Sequence, residues 1–211
     1  MEALWDNAVR VLGGVPKPTD LTERYTERHR GYHNADHVRQ VVRDAVVLCA
    51  GRDAKDVAVV TLAALAHDVV YDGKPGDDER RSAEWARDHL TAAAVAEPHV
   101  TMVERLVLAT LTHEAPHGDP LAEALLDADL AILGSDPAGY ERYRAAVRRE
   151  YAHVPEDAWR TGRAAVLTSL VKRDPLYLTT TAQERWSTSA RRNLTAELEV
   201  LAGGTPAEAR D

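Results

Sequence analysis

The sequence predicts an all-α fold, a single-domain helical bundle, and three observations predict it. Apolar residues recur every three or four positions along most of the chain, with few stretches of strand-type alternation. Hydrophobic residues make up 45%, yet there is no Phe and only four Trp and seven Tyr, so the core must be built mainly from Leu, Val and Ala, a mixture that favours helices. Breakers such as "GGVPKP", "YDGKPGDD", "EAPHGDP" and "GSDPAG" cut the pattern into helix-sized pieces. At 211 residues, with no long polar linker, the chain reads as one domain over residues 1–202. The remainder, 203–211, "GGTPAEARD", reads as a flexible tail.

Nine helices follow in order. The first, 3–12, stops at the "GGVPKP" break. The second, 35–49, begins after Asn34, whose side chain suits an N-cap, with Asp36 complementing the dipole of the first turn. The third, 54–71, contains "VAVVTLAALAHDVVY" and is apolar on nearly every face, as a central helix packed on all sides would be. Helices at 78–94 and 99–112 lie between "YDGKPGDD" and "EAPHGDP". Those at 120–133, 137–151, 156–172 and 183–202 complete the bundle. The four Trp residues are expected in the core, and no repeat of fixed period is present.

Charge and composition exclude several classes of function. A net charge of −8 repels a nucleic-acid backbone, which disfavours extended DNA or RNA binding. The longest uncharged core run, 57–66, is too short to span a bilayer. The N-terminal "MEALWDNAVRVLGG" carries Glu2 and Asp6 where a signal peptide would be basic and then apolar. The single cysteine, Cys49, cannot form an internal disulfide and reads as a buried structural thiol. These features place the expected protein in the cytoplasm, away from membranes.

The chemistry concentrates in a few positions. Composition alone predicts roughly one His-Asp dipeptide in such a chain, so the His67-Asp68 pair matters for its place and not for its existence. It closes the most apolar helix, where an ionised carboxylate costs several kcal/mol, of order ~3 or more, unless it is paired, hydrogen-bonded or bound to a metal. In "DADLAILG", Leu121, Leu125, Ile132 and Leu133 define a buried face that includes Asp129, whereas Asp127 falls with Glu123 on the opposite one. His37 lies in the first turn of its helix and His33 in the loop before it. Taken singly, each has a bland reading: His67 as a satisfied core histidine, Asp129 as a cap or arginine partner, His33 as a loop residue. Taken together, His37, His67, Asp68 and Asp129 from three helices form a mixed nitrogen and oxygen set that suits one divalent metal, Zn, Mn, Fe, Co or Ni.

These motifs carry a resemblance. "YHN" followed two residues later by His37, then "HD" on a hydrophobic helix, then "DADL", resembles the HD superfamily of metal-dependent phosphohydrolases. The first and last segments are also similar to their counterparts in cyclic nucleotide phosphodiesterases. The wider pattern "ERYTERHRGYHNADHV", "ALAHDVVYD", "DDERRSAEWA", "LLDADLAILG", "YERYRAAVRREY" and "RRNLTAEL" resembles a bacterial subgroup of predicted HD-superfamily phosphohydrolases over nearly the whole chain.

The resemblance implies an HD-type bundle in which His37, His67, Asp68 and Asp129 hold one or two divalent ions, with Mg added to the ions above. It implies His33 as the general acid and Asp68 as a catalytic carboxylate able to bridge to a second ion. The implied activity is hydrolysis of a phosphate ester in a nucleotide or another small phosphorylated metabolite through a metal-activated water. Arg30, just before "YHN", is the local candidate for holding substrate phosphate, with Arg28 and His29 adding positive potential; its bland reading is a solvated arginine beside Glu27. His113 is a candidate phosphate or second-metal contact, and Asp72 and Glu79 read as loop and cap residues that could also orient water.

Departures from the pattern leave the substrate open. "HDVVYD" replaces the "HDVDH" continuation of cyclic nucleotide phosphodiesterases, and a full second-metal set of histidines is not evident among His89, His99, His113 and His117. The alternatives are an HD-type di-iron oxygenase and a non-catalytic nucleotide-binding sensor. A homodimer is compatible with helical surfaces.

Overall fold

The computed structural model describes residues 1–203, and those residues are all-helical, with ten α-helices and no strand among them. The expected tail lies outside the described residues apart from Gly203. The chain divides into two compact units, one spanning Met1–Asp129 and one beginning at Leu130. Among the described residues no helix is long and apolar enough to cross a membrane.

The first unit holds α1 (Glu2–Val11), α2 (Leu21–Tyr25), α3 (Ala35–Leu48), α4 (Ala54–Ala66), α5 (Asp77–Ala92), α6 (Glu97–Ala109) and α7 (Pro120–Asp129). Its centre is α4, where every residue from Ala58 to Ala66 is buried. That helix packs on α1, α3, α5, α6 and α7, which explains why its sequence shows no polar face. Asp53 caps its start by accepting from the Lys55 and Asp56 amides, each at 2.9 Å. Asn34 does the same for α3, accepting from the Asp36 amide at 2.9 Å and the His37 amide at 3.4 Å. At the far side Trp5 meets Trp85 edge-on with ring centroids 5.1 Å apart, and the Trp85 indole donates to Asp20 at 2.9 Å.

Two differences from the sequence reading concern the site. Helix α4 stops at Ala66, not at residue 71. Side-chain donors hold the chain there: Tyr25 Oη donates to the Leu65 carbonyl in the last turn of α4 at 3.0 Å, while Arg30 donates to the carbonyls of Asp68 and Val69 in the turn that follows, at 2.7 and 3.0 Å. Tyr25 comes from α2, a five-residue helix too short to leave a 3.6-residue period in the sequence.

The second unit contains a 3-10 turn (Leu130–Gly134) followed by α8 (Pro137–Glu150), α9 (Glu156–Val171) and α10 (Thr180–Leu201). Its interior is partly polar. Glu197 of α10 receives a two-pronged contact from Arg163 of α9, at 2.9 and 3.1 Å, and a 2.6 Å hydrogen bond from the Tyr140 hydroxyl of α8. Asn193 donates to the carbonyls of Leu133 and Ser135, both at 2.9 Å, which ties the 3-10 turn to α10. Trp5, Trp85 and Trp186 are buried as expected, whereas Trp159 is half-buried beneath the Arg148 guanidinium, 5.3 Å from its ring centre.

Candidate metal centre

The first unit brings three separated segments together at the end of α4. His37 projects from the first turn of α3, held there by the Asn34 cap. His67 is the residue on which α4 ends, still in right-handed helical conformation with φ −57° and ψ −35°. Asp68 follows it in the turn, and Asp129 is the last residue of α7. Asp68 turns its carboxylate back toward the neighbouring histidine. Its Oδ2 lies 3.1 Å from His67 Nε2, on the same side as its neighbour.

Four donor atoms face one another. His37 Nε2 lies 3.3 Å from His67 Nε2, 3.4 Å from Asp68 Oδ2 and 3.3 Å from Asp129 Oδ1. His67 Nε2 lies 3.1 Å from Asp68 Oδ2 and 3.5 Å from Asp129 Oδ1. Ligand bonds of about 2.1 Å put neighbouring donors about 3.0 Å apart in an octahedron and about 3.4 Å apart in a tetrahedron. Four of the five observed distances fall in that range and the fifth, 3.5 Å, lies just beyond it, so the donor set fits a divalent ion. His37, His67 and Asp129 form a group whose ligand atoms all lie within 4.8 Å of one another, and this group could hold a metal ion. Asp68 adds a fourth oxygen beside both nitrogens.

The lone pairs are aimed by what lies behind them. His67 Nδ1 sits 2.9 Å from the Ala64 carbonyl, which can only accept, so Nδ1 carries a proton and Nε2 is the nitrogen turned to the centre. That partner was available from helix geometry, because residues three apart share a face. Burial alone would keep both imidazoles neutral, but the carboxylates of Asp129 and Asp68 raise His37 above its usual range and hold His67 well above it. Burial likewise opposes ionisation of Asp68 and Asp129. His67 and His37 overcome it at Asp68, and His113 together with His37 and His67 does so at Asp129, so both carboxyls stay well below the ordinary range. Two carboxylates and two imidazoles at contact distance need positive charge among them, which a proton or a cation can supply.

His33 stands beside the group and outside it. Its ring centre is 5.6 Å from that of His37, and it stacks on Tyr71 at 4.2 Å with an interplanar angle of 25°. Tyr32 packs against both histidines, at 5.0 Å from His33 and 4.6 Å from His37. The sequence reading passed over Tyr32 and Tyr71, which carry no spacing signal of their own.

Arg30 differs from expectation. Its side chain has no solvent exposure, and its guanidinium donates to Glu27 at 3.0 Å, to the His33 carbonyl at 3.0 Å, and to the carbonyls of Asp68 and Val69. A guanidinium so engaged ties the His33 loop to the His67-Asp68 turn and is not offered to a phosphate. His113 reaches the same group: its Nε2 lies 3.0 Å from Asp129 Oδ2.

Asp127 also departs from the sequence reading. Only 1% exposed, it is more deeply buried than Asp129, because α7 packs on α3, α4 and α6 and retains little solvent-facing surface. Asp72 and Glu79 are loop and cap residues: Asp72 pairs with Arg81 at 2.6 Å, and Glu79 accepts from the Gly76 amide at 2.6 Å. His29 Nε2 reaches the Tyr71 carbonyl at 2.7 Å, and His89 stacks on Trp85 at 4.0 Å. Compared with known proteins, the chain matches no family model, no curated protein and no solved structure.

Proposed function

We propose that this protein is a metal-dependent phosphohydrolase of the HD type, cleaving a phosphate ester of a nucleotide or another small phosphorylated metabolite. The observation that carries the reading is the convergence of His37 Nε2, His67 Nε2, Asp68 Oδ2 and Asp129 Oδ1 at contact distance. One or two divalent ions, from Mn, Mg, Fe, Co, Ni and Zn, would supply Lewis acidity and a water nucleophile active near neutral pH. Asp68 and Asp129 remain ionised and balance that charge. His67, fixed through Ala64, keeps its lone pair directed inward.

His33 is the proposed general acid. Its ring is near the donor group, and stacking on Tyr71 restricts its rotation, so a proton on the imidazole can be held toward the departing ester oxygen. Action in a reducing, cytoplasmic setting is supported by Cys49, a buried thiol that burial pushes up to about 11 and thereby keeps unreactive.

The test is metal analysis of protein purified without chelating resin, coupled to phosphate release from a panel of nucleotides and phosphate esters with added Mn, Mg, Co, Ni or Zn. Asp129→Ala is expected to lose the bound metal, and His33→Ala to keep the metal and lose turnover. Wild-type turnover in either variant, or bound metal retained by Asp129→Ala, would defeat the proposal.

A further inference from the structure

The end of α6 carries a residue out of place. Beyond Ala109 the chain makes one more turn, and the His113 amide donates to the Ala109 carbonyl at 3.0 Å, the bond that closes a helix whose next residue turns left-handed. His113 has φ +52°. Glycine is the usual occupant of that conformation, because an L side chain crowds the following carbonyl there. Ala94, at φ +57°, ends α5 in the same region, so the backbone does not by itself single out His113. The side chain does.

His113 Nε2 lies 3.0 Å from Asp129 Oδ2. An ionised carboxylate can only accept, so this nitrogen carries the proton. The other oxygen of the same carboxylate, Oδ1, faces His37 Nε2 at 3.3 Å and His67 Nε2 at 3.5 Å. One carboxylate therefore has its two oxygens assigned to different work. Asp129 is the last residue of α7, and rotation about its side-chain bonds would otherwise turn either oxygen, or neither, toward the nitrogens.

We propose that His113 is a positioning residue of the metal centre, which holds Asp129 Oδ2 from behind so that Oδ1 is presented to the ion. This rests on the metal reading of His37, His67, Asp68 and Asp129. A left-handed helix end brings the imidazole to Asp129, and a partner of this kind sharpens metal affinity without touching substrate.

The experiment measures Co²⁺ affinity of the full chain by competition with a chromogenic chelator, together with ion stoichiometry and the visible Co²⁺ spectrum. His113→Ala should weaken Co²⁺ binding about 10- to 100-fold and alter the spectrum. His113→Gln, whose amide N–H can reach the same oxygen, should recover most of both. His113→Gly, suited to the left-handed backbone, should fold normally and still bind Co²⁺ weakly, which separates the side chain's role from that of the turn.

Unchanged affinity in all three variants overturns the proposal. So does a glutamine variant no better than alanine, or a wild-type chain that holds two ions and loses one on substitution, since either makes His113 itself a ligand. If the wild-type chain takes up no ion, the metal reading falls and this inference falls with it; wild-type binding with indifferent variants removes the inference alone.

Discussion

The Nε2 atoms of His37 and His67 face each other across 3.3 Å in the interior of the first unit, with the Nδ1 of His67 already committed to the Ala64 carbonyl. Two imidazole nitrogens so placed either share a proton or share a cation. The adjacent carboxylates favour positive charge between them, whichever form it takes.

Metal loading should stabilise the fold. An ion that binds only the folded chain contributes about 2.7 kcal/mol at a hundredfold excess over its Kd. For a chain of this size that raises the thermal midpoint by about 5–10 °C. Thermal unfolding with and without added Mn, Co, Ni or Zn checks this, and chelator should reverse the shift. A midpoint indifferent to every ion would leave the four donors as a structural cluster.

The same stabilisation should depend on pH. Asp68 and Asp129 are depressed below 3.8 in the folded chain, so their contribution is present above that value and disappears as pH falls through their folded range. His37 and His67 are raised above 6.5, so their contribution is complete below it and is lost as pH rises through their folded range. Metal-free protein therefore draws most from the cluster between 3.8 and 6.5 and loses that contribution as the solution becomes alkaline. An ion needs the imidazoles deprotonated. The gap between metal-loaded and metal-free midpoints should widen from about pH 5 to about pH 8. A gap that narrows over that interval would contradict the assigned protonation states.

Loss of Arg30 should read as a structural defect. Arg30→Met leaves the carbonyls of His33, Asp68 and Val69 without this donor, at about 1–3 kcal/mol for each that stays buried and unpaired. The expected result is a lower midpoint and weaker metal binding together. A variant of wild-type stability with only a raised KM would restore Arg30 as a phosphate contact.

Turnover should separate His33 from the donor residues. His33→Ala is expected to reduce kcat by about 10²- to 10⁴-fold, the usual contribution of a general acid, with metal content unchanged. Single-turnover phosphate release and metal analysis on the same preparation measure both.

In the second unit, Glu197→Ala strands the Arg163 guanidinium in the interior. Breaking a buried pair in this way costs about 3–5 kcal/mol, which chemical denaturation would register as a lower midpoint.

Much of this was legible in the chain itself. Helical periodicity and the placement of breakers determine an all-α fold, and the uncharged, mostly apolar run in 57–66 determines that this segment is central, because only a helix packed on all sides can bury every face. The Asn34 cap was equally readable, since an N-cap is a local hydrogen bond between residues two and three apart.

Tertiary structure decided the rest. The end of α4 and the turn after it are held by Tyr25 and Arg30, donors some forty residues earlier that no local pattern links to these carbonyls. The burial of Asp127 depends on how many helices surround α7, whereas periodicity supposes one buried face. Arg30 changed roles for a similar reason: a side chain's residue type states what it can bond, and only packing states which partner reaches it first. The sequence by itself determined which donors exist and which helices carry them; the fold determined their distances and the faces they turn to one another, because those are set by contacts between segments far apart along the chain.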